Sequence, residues 1–163
     1  MQRFWLFVHI AAALSFTLTH GASAAMMFKI RGERDPARIG AMLDLSLSLS
    51  VAMGVSLLVL LAAGIAGAFT GNLWGEGWVW VSLVLFVAIT GLMTPLAAGY
   101  YNRVREAVGV QTWGQARKAI APGPPRSTEE IAALLQASPA WIITALGGGG
   151  LLVILWLMIF KPF

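Results

Sequence analysis

Leu45-Ser46-Leu47-Ser48-Leu49-Ser50 alternates apolar and polar residues with the two-residue period of a β-strand. Its surroundings reverse that reading. The stretch opens a run from Leu45 to Gly75 with no Lys, Arg, Asp or Glu, and an apolar run of about 18 or more residues is the signature of a membrane-spanning helix. A strand there would leave edge N–H and C=O groups unpaired in hydrocarbon, whereas a helix satisfies its own. The segment therefore reads as helix, and its serines as small polar contacts for neighbouring helices.

Three other runs are equally free of charge: Phe4 to Phe28, Gly77 to Asn102 and Ile131 to Phe160. The chain has 163 residues, 58% hydrophobic and 11% charged, where a soluble domain carries roughly a quarter charged. The expected fold is all-α, a four-helix transmembrane bundle forming a single integral membrane domain over 1–163. Its spans fall at about 4–28, 45–69, 78–101 and 140–160, with a surface-lying cytoplasmic loop, 102–139, between helices 3 and 4. The first run exceeds the roughly 7–15-residue apolar core of a signal peptide and reads as a retained span. With no cysteine, disulfides, thiolate metal sites and thiol redox chemistry are excluded.

Loop charges predict orientation. Lys29, Arg31, Arg34 and Arg38 lie in the first loop, and Arg103, Arg105, Arg117, Lys118 and Arg126 in the third. The N-terminus offers Arg3, the C-terminus Lys161 and the second loop nothing. Nine basic residues against two place the first and third loops in the cytoplasm and both termini outside a cell membrane. Trp5, Trp74, Trp78, Trp80 and Trp156 then gather at the outer interface, where indole rings anchor. The net charge of +4 sits in loops, where it serves topology and anionic lipid; nucleic acid is not an expected partner.

Local chemistry marks the helix ends. Asp35-Pro36 is an N-cap followed by proline at the first helical position. Ser138-Pro139 repeats that start signal before the fourth span, and Ser127-Thr128-Glu129-Glu130 is a capping box. Val104 to Ala121 is expected to form an interfacial helix, broken by Pro122-Gly123-Pro124-Pro125. The short loop from Thr70 to Gly77 is expected to make the second and third helices an antiparallel hairpin. Asp44 should pair with Arg103 or Arg105. Ser46, Ser50 and Gly54, with Gly64 and Ala68 beyond, form a small-residue packing seam. Thr90, Gly91 and Thr94 before Pro95 mark a kink in the third helix.

The candidate site residues are His9 and His20, the two histidines of the chain, both in the first span. An ionisable group within a membrane helix is a functional-site candidate by default. Eleven residues are three helical turns plus about 20°, so the rings share a face some 16 Å apart. Phe16, Ser23 and Met27 lie on or beside it. Imidazole ligates haem iron, but both histidines lie on one helix. A second axial ligand must therefore be a methionine such as Met53 or Met93, or a histidine of a second copy. The competing reading gives each ring a hydrogen bond to a neighbouring helix. Gly147-Gly148-Gly149-Gly150, midway along the fourth span, permits close helix packing or contact with a flat ring.

Phe7-Val8-His9-Ile10-Ala11-Ala12-Ala13, a glycine- and alanine-rich end to the first span, and then Arg34-Asp35-Pro36-Ala37 resemble a family of bacterial four-span membrane proteins. Those proteins carry a domain of unknown function with a leucine-histidine pair early in the first helix. More distantly the pattern is similar to the membrane domain of copper-resistance protein D and to the protoporphyrinogen-oxidase-like proteins of haem synthesis. The resemblance implies that His9 matches the early histidine, which in the haem-synthesis proteins is associated with haem binding. The chain departs from them in having no charged residue within the third span and no methionine or cysteine motif.

Three functions are expected from these readings, each with its own consequence. A non-catalytic accessory or homo-oligomeric membrane component, or part of a larger complex, would tolerate replacement of either histidine. A haem b-binding redox module would be coloured through His9 and, with it, His20. A pathway for a small solute or proton along the His9–His20 face would fail when either ring is removed. No particular metal is implied.

Overall fold

In the computed structural model, which describes residues 1–163 apart from the side chains of Trp113 and Ala116, the backbone forms six helices. They are α1 (Gln2–Ile30), α2 (Pro36–Thr70), α3 (Gly77–Ala107), α4 (Trp113–Arg117), α5 (Thr128–Gln136) and α6 (Ala140–Phe160). The Leu45–Ser50 stretch lies within α2, and no strand occurs among the described residues. Four helical segments, carried by α1, α2, α3 and α6, are long and apolar enough to cross a membrane. At 35 residues α2 is about 50 Å long and overreaches a ~30 Å hydrocarbon core. Asp35 caps it, its Oδ1 accepting from the Ala37 N–H at 2.9 Å.

The helices pack as two pairs, α1 along α2 and α3 along α6, with fewer contacts between pairs. The expected short turn joins α2 to α3, but each of the two packs mainly against another helix. Across that turn Phe69 meets Trp74 edge to face and Trp74 lies tilted against Trp80, with ring centres 5.1 and 5.2 Å apart. The Trp80 Nε1–H also donates to the Trp74 carbonyl at 3.0 Å.

The pairs converge at the end carrying the basic loops. Met27 and Ile30 of α1, Ile39 and Leu43 of α2, Tyr100 and Val104 of α3, Ile131 and Leu135 of α5 and Ile143 of α6 form one buried cluster. Asp44 and Arg105 tie α2 to α3 at 2.8 Å, the expected pairing, while Arg105 Nε–H donates to the Gln111 carbonyl at 2.7 Å.

The interfacial helix expected over Val104–Ala121 is not formed. Val104 and Ala107 continue α3 because both are fully buried in that cluster. The chain then turns at Gly109, whose φ of 72° lies in the left-handed region that favours glycine. Only the single turn α4 follows, opened by Thr112 and Gln115 bonding each other's backbone N–H. The Ser127–Glu130 capping box is present as expected and starts α5. Ser138 does not cap α6, since Pro139 takes the N-cap position itself with ψ of 25°.

At the opposite end the C-terminal tail returns to α3. The Trp78 N–H donates to the Phe163 carbonyl at 3.1 Å, and Lys161 Nζ stands 5.5 Å from the Trp78 ring centre.

Candidate functional site

Each histidine is seated in a notch made by a glycine on a facing helix. His9, one-third of the way along α1, meets α2 where Gly64 presents no side chain. A Cβ at Gly64 would lie 3.0 Å from the imidazole Cε1 and 3.1 Å from Nδ1. That gap lets the His9 Nδ1–H reach the Leu60 carbonyl at 2.9 Å, one helical turn before the glycine. Leu60 and Ala63 are buried around it, and Trp5 lies over Gly67 one turn further on.

His20 meets the other helix pair. A Cβ at Gly147 of α6 would lie 2.5 Å from His20 Nε2 and 3.0 Å from the Met93 methyl of α3. Gly147 is thus the point where α1, α3 and α6 come together. Phe16, one turn earlier on α1, stacks on the imidazole with ring centres 5.6 Å apart and planes 7° from parallel. Nε2 is buried and has no hydrogen-bond partner. One turn towards the basic end, the Tyr101 hydroxyl donates to the Ser23 carbonyl at 3.3 Å and lies 3.4 Å from the Ser23 hydroxyl. Beyond that, Phe28 and Trp141 meet edge to face at 4.8 Å.

The two rings share a helix face, as the eleven-residue spacing requires, but α2 covers that face at His9 and α6 covers it at His20. Of the methionines considered as second ligands, Met93 is brought beside His20. Among the described residues no group of three or more His, Cys, Asp or Glu could hold a metal ion. The tetraglycine run divides by function: Gly147 admits His20, Gly150 admits Ile89 of α3, and Gly148 and Gly149 face open space. The small-residue seam of α2 is realised at Ser46, Gly64 and Ala68, whereas Gly54 also faces open space.

Sequence reasoning found both histidines and both glycines but not their pairing, because helix periodicity fixes a face and not its neighbour. It also missed the reciprocal bonds between Arg31 and Gln136, in which the Gln136 Nε2–H donates to the Arg31 carbonyl at 3.1 Å. The Thr112–Gln115 cap was legible, being Thr-x-x-Gln ahead of a helix.

Residues 4–162 match the family described as predicted integral membrane protein (DUF2269). No curated protein and no solved structure matches the chain. The match covers nearly the whole sequence, so the chain belongs to that family of integral membrane proteins.

Proposed function

We propose that this DUF2269 protein is a non-catalytic membrane component that acts through helix association, as an accessory subunit or homo-oligomer. The observation that carries the reading is the use made of the two histidines. Each ring fills a glycine notch where helices cross, two at His9 and three at His20, and His9 spends its Nδ1–H on the Leu60 carbonyl. Packing against small residues and interhelical hydrogen bonding are the two forces that associate helices in lipid. Other, apolar surfaces face outward: Leu14, Leu18, Leu58 and Leu152 are all more than 60% exposed and face lipid or another helix. The first and third loops are assigned to the cytoplasm and both termini to the outside of the cell membrane, on the nine-to-two distribution of basic residues. Cleavage of the Pro122–Pro125 loop in inverted vesicles but not in spheroplasts is the expected result.

A second reading, a haem b-binding redox module, draws on one specific feature. Metal-bound imidazoles commonly donate their other ring N–H to a carbonyl, the bond His9 makes with Leu60. Optical spectroscopy separates the two. Protein purified after expression with haem supplied should show no stoichiometric Soret band, oxidised or dithionite-reduced. His9→Gln and His20→Gln should keep the oligomeric state of the wild-type protein in detergent. A Soret band that shifts on reduction and disappears in His9→Gln would replace the first reading with the second.

A further inference from the structure

Two apolar grooves open on the outer surface of the bundle. One, of about 260 Å³ between α1 and α2, is lined by Phe7, Val8 and Ser15 on one side and Val55, Ser56 and Val59 on the other, and has no charge along it. The other, of about 370 Å³, is different in kind. Leu92, Pro95, Leu96 and Arg103 of α3 form one wall, and Ala137 and Pro139 at the α5–α6 junction form the other. It is apolar along its length and cationic at one end.

Its geometry is that of one bilayer leaflet. Leu92, Leu96 and Arg103 lie within about 40° of one another around α3 and span about 16 Å along its axis, close to half of a ~30 Å hydrocarbon core. Gly99, one turn after Pro95 on the same side, has open space where a side chain would stand, so the helix surface there is shallow. At the polar end the Arg103 Nε–H donates to the Gly99 carbonyl at 3.2 Å. That bond folds the side chain back towards the groove and leaves the terminal nitrogens as donors.

The charge at this corner is uncompensated. The ion pairs among the described residues are Arg38–Glu33 and Arg105–Asp44, so neither Arg103 nor Arg31 has an acidic partner. Arg31 is held at the same junction through Gln136. The positive end of α6 begins there too, without a side-chain cap.

We propose that this groove is a binding site for an anionic phospholipid, whose acyl chain lies along Leu92–Leu96 and whose phosphodiester is held by Arg103, with Arg31 adding charge. A zwitterionic lipid offers the same chain, but its own cation opposes Arg103. A soluble phosphate ester offers the anion but has nothing to fill the groove. The full chain in neutral detergent is titrated with phosphatidylglycerol, with phosphatidylcholine of the same acyl composition, and with glycerol phosphate, following the thermal unfolding midpoint. Phosphatidylglycerol should raise the midpoint saturably, and the other two should not. Arg103→Gln should weaken the apparent affinity roughly tenfold, the scale of one charge-assisted hydrogen bond, and Arg103→Lys should restore part of it. Arg126→Gln, which removes an equal charge from the loop that follows α3, should leave it unchanged. Leu96→Trp, which fills the groove and spares the charge, should lose the shift as well. An undiminished shift in Arg103→Gln or in Leu96→Trp overturns the proposal. So does an equal loss in Arg126→Gln, or an equal shift with glycerol phosphate.

Discussion

His9 and His20 are the same residue on the same helix face, yet their surroundings differ in what the ring is asked to do. His9 binds two helices of one pair: its ring lies against Gly64, and its Nδ1–H closes on the Leu60 carbonyl. His20 stands between the two pairs, wedged at Gly147 beside Met93, with Nε2 buried and unpartnered. The first crossing is held by shape and a hydrogen bond, the second by shape alone. A histidine in a membrane helix is therefore not one kind of feature. What decides its role is the neighbour that the fold supplies.

The largest expected effect comes from filling the notches. The first added carbon, Cβ, already meets side chains of both α1 and α3 in Gly147→Leu, whereas in Gly64→Leu it meets the His9 ring. Overpacking costs about 1–3 kcal/mol, and Gly147→Leu should fall at the upper end and Gly64→Leu below it. Reversible unfolding in mixed micelles gives both values, and equal losses would erase the distinction between a two-helix and a three-helix crossing.

Replacing the rings comes next. In His9→Leu the interhelical hydrogen bond disappears, a loss of about 0.6 kcal/mol on the average for such bonds in membranes and at most about 1.7 kcal/mol. In His20→Leu a buried nitrogen without a partner is removed, and apolar replacement of an unsatisfied group is neutral or stabilising. The two substitutions are chemically identical, so opposite signs in the same unfolding assay would be a clean measure of environment. If His20→Leu costs as much as His9→Leu, the packing of the His20 ring against Phe16 and Gly147 is worth as much as the hydrogen bond of His9.

Much of this was legible in the sequence, and the part that was not has one cause. Charge-free runs and the caps at Asp35 and Ser127 locate helices because those signals act within a few residues of chain. The Asp44–Arg105 pair was half legible, since only two cations stood at the right depth. The notches were not legible. Gly64 and Gly147 are two of 18 glycines, and nothing local distinguishes them from Gly54 or Gly148, which face open space. The overlong reading of Val104–Ala121 failed for the same reason. Val104 and Ala107 are held in α3 by Ile131 and Leu135, more than twenty residues away in sequence and beyond the reach of any local pattern.

The Ser23–Tyr101 contact provides a finer test of the His20 crossing, because it lies one turn away and joins the same two helix pairs. Tyr101→Phe removes the hydroxyl and keeps the ring. The expected loss is about 0.6 kcal/mol, the average for an interhelical side-chain bond in a membrane protein. Combined with His20→Leu, its effect should be non-additive if the two contacts hold the pairs together as one unit, whereas with His9→Leu it should simply add. Additivity in both combinations would mean that the seam between pairs is not cooperative.

The smallest effect lies in the loop that joins the His9 pair, outside the membrane. The Glu33 carboxylate accepts from the N–H groups of Arg34 at 2.9 Å and Asp35 at 3.2 Å, and lies 3.3 Å from Arg38. Those backbone bonds, with a lesser contribution from Arg38, hold its pKa below the ordinary carboxylate value. A depressed carboxylate pKa stabilises the fold fully above the unfolded value, and that contribution fades as pH falls through the folded one. Hydrogen exchange at the Arg34 and Asp35 amides, corrected for intrinsic rate, should therefore lose protection only on acidification past the usual glutamate range. Glu33→Gln should flatten that dependence while leaving both histidine crossings as they were, because α1 and α2 are joined there by a turn but held together at Gly64.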